Sequence, residues 1–125
     1  MKYLLDVNAL IAWRHTHHSK SGVFHAWAAR TGVDNMFTCS HTELGFLRIS
    51  MQLGLTSAEA TASLEIIREQ IGGYVADNPR PRLARWVLSH KQTTDSYLCQ
   101  FADAHGMQLA TFDSGIKDNA AYLIS

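Results

Sequence analysis

Cysteine is nearly absent from this chain. The two present, Cys39 and Cys99, are far apart and form no CxxC pair. That excludes a disulfide framework and a cysteine zinc site, and it suits a reducing, cytoplasmic setting. Proline is as scarce, with only Pro79 and Pro81, and glycine is sparse. Disordered, collagenous and low-complexity architectures are therefore excluded. There is no excess of either charge: 11 Lys and Arg balance 11 Asp and Glu. Whole-chain charge gives no support for a nucleic-acid partner, so any such binding must rest on a local patch. No apolar run approaches the ~18 residues of a membrane span. The opening MKYLLDVNALIAW is interrupted by Asp6 and Asn8, which makes a poor signal-peptide core.

What is present is an apolar fraction of 46% spread over 125 residues. That suffices for one domain with a real core, expected to span residues 1–125. Short extended runs alternate with helical ones. Lys2–Leu5, Asn35–Cys39, Gln108–Thr111 and Tyr122–Ile124 read as strands, with Tyr74–Ala76 a weak one. Ala9–Trp13, Ser21–Arg30, Ser40–Gln52, a segment capped by Thr56 and Glu59, Leu83–His90 and Thr94–His105 read as helices. Asn78–Arg82 (NPRPR) reads as a turn, and Asp113-Ser114-Gly115 as another. Strands separated by helices of this length need crossover connections. The expected fold is α/β, a three-layer α/β/α sandwich with a mostly parallel central sheet.

In such sheets ligands collect beyond the carboxyl ends of the strands. Four acids fall at equivalent topological positions there. Asp6 ends the first strand, Glu43 and Asp95 lie in first helical turns, and Asp113 follows the QLAT strand. Each has a plain structural reading. Asp6 suits an N-cap, Ser40 and Glu43 have capping-box spacing, Asp95 suits a helix dipole, and Asp113 suits a turn. Facing argues for more. Asp95 heads a stripe of Leu98, Cys99 and Ala102, and Glu43 one of Phe46 and Leu47. A merely solubilising carboxylate does not head an inward stripe.

If the sheet is parallel, all four meet at one edge. Two carboxylates about 4 Å apart repel by roughly 4 kcal/mol at an effective dielectric near 20. A helix N-terminus returns only about 0.3–1 kcal/mol. Protons or a cation must neutralise such a cluster. All-oxygen ligands suit a hard ion, Mg²⁺ or Mn²⁺, and an acidic metal site suits phosphodiester hydrolysis.

These residues resemble a known family. YLLDVNALIAW, CSHTELGFLR and TTDSYLCQFADAHGMQLATFDSGI, in this order, are similar to the motifs of the PIN-domain ribonucleases, most closely the VapC-like toxins of toxin–antitoxin pairs. The resemblance covers essentially the whole chain. It implies a metal site of Asp6, Glu43, Asp95 and Asp113. Asn8 would tie Asp6 to the helix start, and Thr94 and Thr111 would supply hydroxyls. It further implies endonucleolytic cleavage of single-stranded or looped RNA to a 5′-phosphate and a 3′-hydroxyl. A homodimer, and an antitoxin whose C-terminal tail blocks the groove, are implied as well.

Other residues admit chemistry too. Arg80, Arg82 and Arg85 form the densest basic cluster, stiffened by proline, and with Arg14 and Lys117 they are candidate RNA contacts. The alternative for them is a solvated face. His15, His17 and His18 fit no structural zinc spacing and read as an exposed loop. His41 stands beside the acids and reads as a surface residue of a helix start. Trp13, Trp27 and Trp86 read as core or interface, and both cysteines as buried apolar groups. Two rival readings remain. One is a phosphotransfer domain with Asp6 in a nucleophile loop, served by Lys91 or Lys117. The other is an interaction module whose acids are only caps.

Overall fold

The computed structural model describes residues 1–125. The sheet strands are short and apolar: β1 (Tyr3–Leu5), β2 (Met36–Thr38), β3 (Gly73–Tyr74), β4 (Gln108–Thr111) and β5 (Ala121–Leu123). All four pairings are parallel, in the order β3-β2-β1-β4-β5. Leu4, Leu5, Leu109 and Ala110 are fully buried, as expected of strands covered on both faces.

Five helices provide that cover. They are α1 (Val7–Arg14), α2 (Ser21–Thr31), α3 (Ser40–Gln52), α4 (Ser57–Gln70) and α5 (Thr93–Ala104). Leu10, Trp13, Phe24, Trp27, Phe46 and Leu64 of α1–α4 pack with Leu5 and Ala110 into one core. Leu98, Cys99, Phe101 and Ala102 of α5 pack with Leu4 and Leu109 into a second core on the other face. The three-layer α/β/α arrangement is thus present, and the sheet is wholly parallel. Trp13 and Trp27 are core residues, and both cysteines are buried. No helix is long and apolar enough to cross a membrane.

Two glycines matter for placement. A Cβ on Gly45 would stand 2.5 Å from Val7 Cγ2, so its absence lets α3 lie directly against the start of α1. Gly106 adopts φ +68 after α5, a left-handed turn that sends the chain into β4.

Three sequence expectations need correction. The segment Leu83–His90 is not a helix: it forms a turn at Arg85-Trp86 and a short 3₁₀ turn at His90–Gln92. Backbone donors within it and just before it are taken by side chains of α5 and its own flank. Ala84 N–H donates to Ser96 Oγ (2.9 Å), Arg82 N–H to Gln100 Oε1 (2.8 Å) and Leu88 N–H to Gln92 Oε1 (2.6 Å). Leu83 and Leu88 remain exposed, so no apolar helical face exists to reward winding. The second correction concerns α3. Its cap is Cys39, with Thr42 as the reciprocal partner, not Ser40 with Glu43. The third is the weak strand, which forms one residue earlier, at Gly73–Tyr74.

Candidate active site

The strand order dictates where a site can form. From β1 the chain works outward through β2 to β3, then returns to the other side of β1 as β4. The reversal leaves a crevice beyond the carboxyl ends of β1 and β4, the place where open α/β sheets bind ligands. Asp6 follows β1 directly, Asp113 lies two residues beyond β4, and Asp95 sits in the first turn of α5.

Thr111 joins these pieces. Its hydroxyl donates to Asp6 Oδ2 at 2.7 Å and accepts from the Asp113 N–H at 3.0 Å and from Asn8 Nδ2 at 3.3 Å. Val7 N–H donates to the other Asp6 oxygen at 2.8 Å, so Asp6 does cap α1. Asn8 Oδ1 accepts from the Phe112 N–H at 3.2 Å. Asn8 therefore ties α1 to the end of β4, with no direct bond to Asp6. Residues more than a hundred positions apart are held by one hydroxyl.

The electrostatics mark the same spot. The Asp6 carboxyl is pushed above the ordinary Asp range by burial, opposed by Thr111 and Val7 and reinforced by Asp113. The Asp95 carboxyl is pushed up to about 6, first by burial and then by Asp6 and Asp113, with no donor opposing it. These three acids feel one another. No cation compensates them, because both ion pairs of the molecule belong to Arg68.

Glu43 is in a different state. Its Oε1 accepts from Arg68 Nε at 3.1 Å and from Arg68 Nη2, and its Oε2 accepts from Thr38 Oγ1 at 2.7 Å. It is buried beneath α4, lining a hollow with Leu47, Ile71 and Tyr74. No three His, Cys, Asp or Glu side chains, Asp6, Asp95 and Asp113 included, stand close enough in this arrangement to enclose an ion. Arg68 and Thr38 are site neighbours that sequence reasoning missed. Arg68 has a sequence signal only toward Glu65, three residues back on α4, and none toward Glu43.

The other candidates fall as follows. Thr94 is exposed beside Asp95, in a small hollow with His41 and Arg82. Arg80, Arg82 and Arg85 are exposed on the segment strapped across α5. Arg14 is at the far end of α1, its Nε donating to Ser63 Oγ at 2.8 Å. Lys117 donates to the Ser114 carbonyl at 2.9 Å and makes no bond to Asp6. Trp86 is half-buried and donates to Asp118 Oδ2 at 2.9 Å. His15 bonds Ser50 of α3 at 2.9 Å, and His18 accepts from the Lys20 N–H at 3.0 Å, so the loop is held to α3 and to itself. The largest hollow, about 770 Å³, lies at the opposite sheet edge against Met1, Gly106 and Gln108 and contains none of the four acids.

A family model described as PIN domain matches residues 3–122. Ribonuclease VapC39 of Mycobacterium tuberculosis (strain CDC 1551 / Oshkosh) is 32% identical over 135 residues, covering 97% of this chain and 95% of that protein. Ribonuclease VapC38 of Mycobacterium tuberculosis (strain ATCC 25618 / H37Rv) is 31% identical over 129 residues, covering 90% and 86%. Ribonuclease VapC29 of the CDC 1551 strain is 32% identical over 123 residues, covering 93% and 89%.

Proposed function

This chain belongs to the PIN-domain family, and from that premise we propose that it is a metal-dependent endoribonuclease, the toxin of a toxin–antitoxin pair. The observation that carries the reading is the uncompensated cluster of Asp6, Asp95 and Asp113 at the β1/β4 crevice. Relatives over nearly the full length are named ribonucleases, which agrees with it.

The donor chemistry of Asp6, Asp95 and Asp113 suits a divalent cation, and their side chains would have to draw together to enclose one. Their donors are all carboxylate or hydroxyl oxygens, burial and the neighbouring acids raise the proton affinity of Asp6 and Asp95, and no ion pair compensates them. Mg²⁺ is the metal this set suits, with Mn²⁺ as a substitute. When bound, such an ion polarises the phosphoryl oxygen and lowers the pKa of water. Asp6 and Asp95 would hold it most directly and Asp113 would complete the acid set, while Glu43 stays bound to Arg68 and Thr38. Asn8 and Thr111 fix Asp6 against the end of β4, and Thr94 presents a free hydroxyl beside Asp95.

Arg80, Arg82, Arg85 and Lys117 supply the cationic grip on RNA phosphates. Arg14 is left out of that grip by its bond to Ser63. We take residues 1–125 as a single domain that works in the cytoplasm as a homodimer and is held in check by a cognate antitoxin. Leu44, Met51 and Tyr74, all exposed, suit such protein partners.

The test is cleavage of single-stranded RNA by the purified chain with Mg²⁺, with EDTA, and with Asp6→Asn. Cleavage that needs the metal and is lost in a folded Asp6→Asn variant supports the reading. Undiminished cleavage by that variant, or by the EDTA-treated chain, overturns it.

A further inference from the structure

A second hollow opens beside the acids, between the starts of α3 and α5 and the strapped segment. It is lined by His41, Arg82, Thr94 and Tyr97 among others and measures about 260 Å³. At ~30 Å³ per water it has room for about nine waters, a size that admits one nucleobase.

Its walls are built in a particular way. The Tyr97 hydroxyl donates to the Pro79 carbonyl at 2.9 Å, which fixes the ring. The His41 ring lies 5.1 Å from the Tyr97 ring, tilted by 51°, and is otherwise exposed. His41 thus offers an aromatic face braced from behind. Gln100 grips the strap on both sides, accepting from the Arg82 N–H at 2.8 Å and donating to the Arg80 carbonyl at 2.7 Å. The Arg82 backbone is held while its guanidinium is free of any ion pair. No acid lines the hollow, yet Thr94 directly precedes Asp95 in the chain.

These features solve a physical problem. A phosphodiester approaching three carboxylates is repelled, so a cation and a stacking surface must flank them to offset that repulsion. Resting on the ribonuclease reading, we propose that this hollow is a subsite for one unstacked nucleotide of single-stranded RNA next to the scissile phosphate. The base stacks on His41, the Arg82 guanidinium takes its phosphate, and the Thr94 hydroxyl is left to bond a base edge or a 2′-hydroxyl. The subsite anchors the strand and leaves the chemistry to the acids.

Fluorescence anisotropy with a short labelled single-stranded RNA tests this, using the intact chain in EDTA so that binding is read without cleavage. Arg82→Ala is expected to weaken binding and to lower the slope of log affinity against log salt by about 0.7, one single-strand phosphate contact. His41→Ala is expected to weaken binding about fivefold or more at an unchanged slope, the mark of lost stacking, and His41→Phe to restore it. Arg30→Ala, on α2, serves as the control with wild-type affinity. Both test residues are exposed, and a melting curve checks each fold. If His41→Ala and Arg82→Ala bind like the wild type while the metal-loaded wild type still cleaves, the subsite is overturned and the ribonuclease reading survives. If duplex RNA of the same sequence binds equally well, the single-nucleotide occupant is overturned. If the wild type neither binds nor cleaves RNA, both fall together.

Discussion

Asp95 and Glu43 each stand in the first turn of a helix at the same edge of the same sheet, and their surroundings are opposite. Asp95 is half-buried with two other acids for company, and its proton affinity rises to about 6. Glu43 is buried more deeply, yet three hydrogen bonds from Arg68 and Thr38 satisfy it. The β1/β4 half of the edge stores repulsion that a bound cation relieves. The β2/β3 half has already relieved it from within the chain. Burial alone therefore does not mark a reactive carboxylate: the absence of a compensating cation does.

The comparison breaks most visibly in catalysis. Asp95→Asn is expected to cut RNA cleavage by more than about 100-fold, beyond the usual range for residues that only support a metal ligand. Single-turnover assays on the folded variant measure this, and near-normal rates would erase the distinction between the two halves. Thr111→Val tests the hub next. It leaves Asp6 Oδ2 without its donor, and a loss of about 10- to 100-fold in Mn²⁺ affinity is expected by calorimetry.

Proton competition sharpens the contrast further. Mn²⁺ affinity is expected to fall roughly tenfold per pH unit below about 6, where Asp95 is protonated. The sign for stability is the reverse of the usual carboxylate case. A raised folded pKa means that the metal-free fold binds more protons than the unfolded chain between about 4 and 6, so its stability falls as pH rises through that window. Asp95→Asn should remove that fall, visible as a higher melting temperature at pH 7 and little change at pH 4. The smallest effect belongs to the satisfied half. Arg68→Gln is expected to cost about 1–2 kcal/mol in urea unfolding, a charged hydrogen bond discounted for the exposure of Arg68. It should leave Mn²⁺ affinity within about threefold, while a large change would tie Glu43 to the ion.

Legibility differed by kind of feature. Strand and helix positions followed from apolar runs and from stop signals such as Gly106, because those are local. The Leu83–His90 segment misled for the converse reason: its residues tolerate a helix, but Ser96 and Gln92 take up backbone donors within it. The Ser40/Glu43 capping box failed by a single residue of frame, since the helix starts after Cys39. Asp6, Asp95 and Asp113 were noticed because they fall at equivalent strand ends and helix starts of a parallel sheet, although each position alone also favours an acid for capping. Arg68 was not, because its partner is 25 residues away on another helix.

The sequence by itself determined the alternation of strands and helices, the family motifs and the identity of the acids that can meet. Those depend on residue type and short-range spacing. The tertiary structure alone decided which acids are left uncompensated and which is tied down. That outcome is set by side chains on different elements that approach within hydrogen-bond distance only after the sheet has ordered its strands, and no local rule of spacing encodes such a meeting.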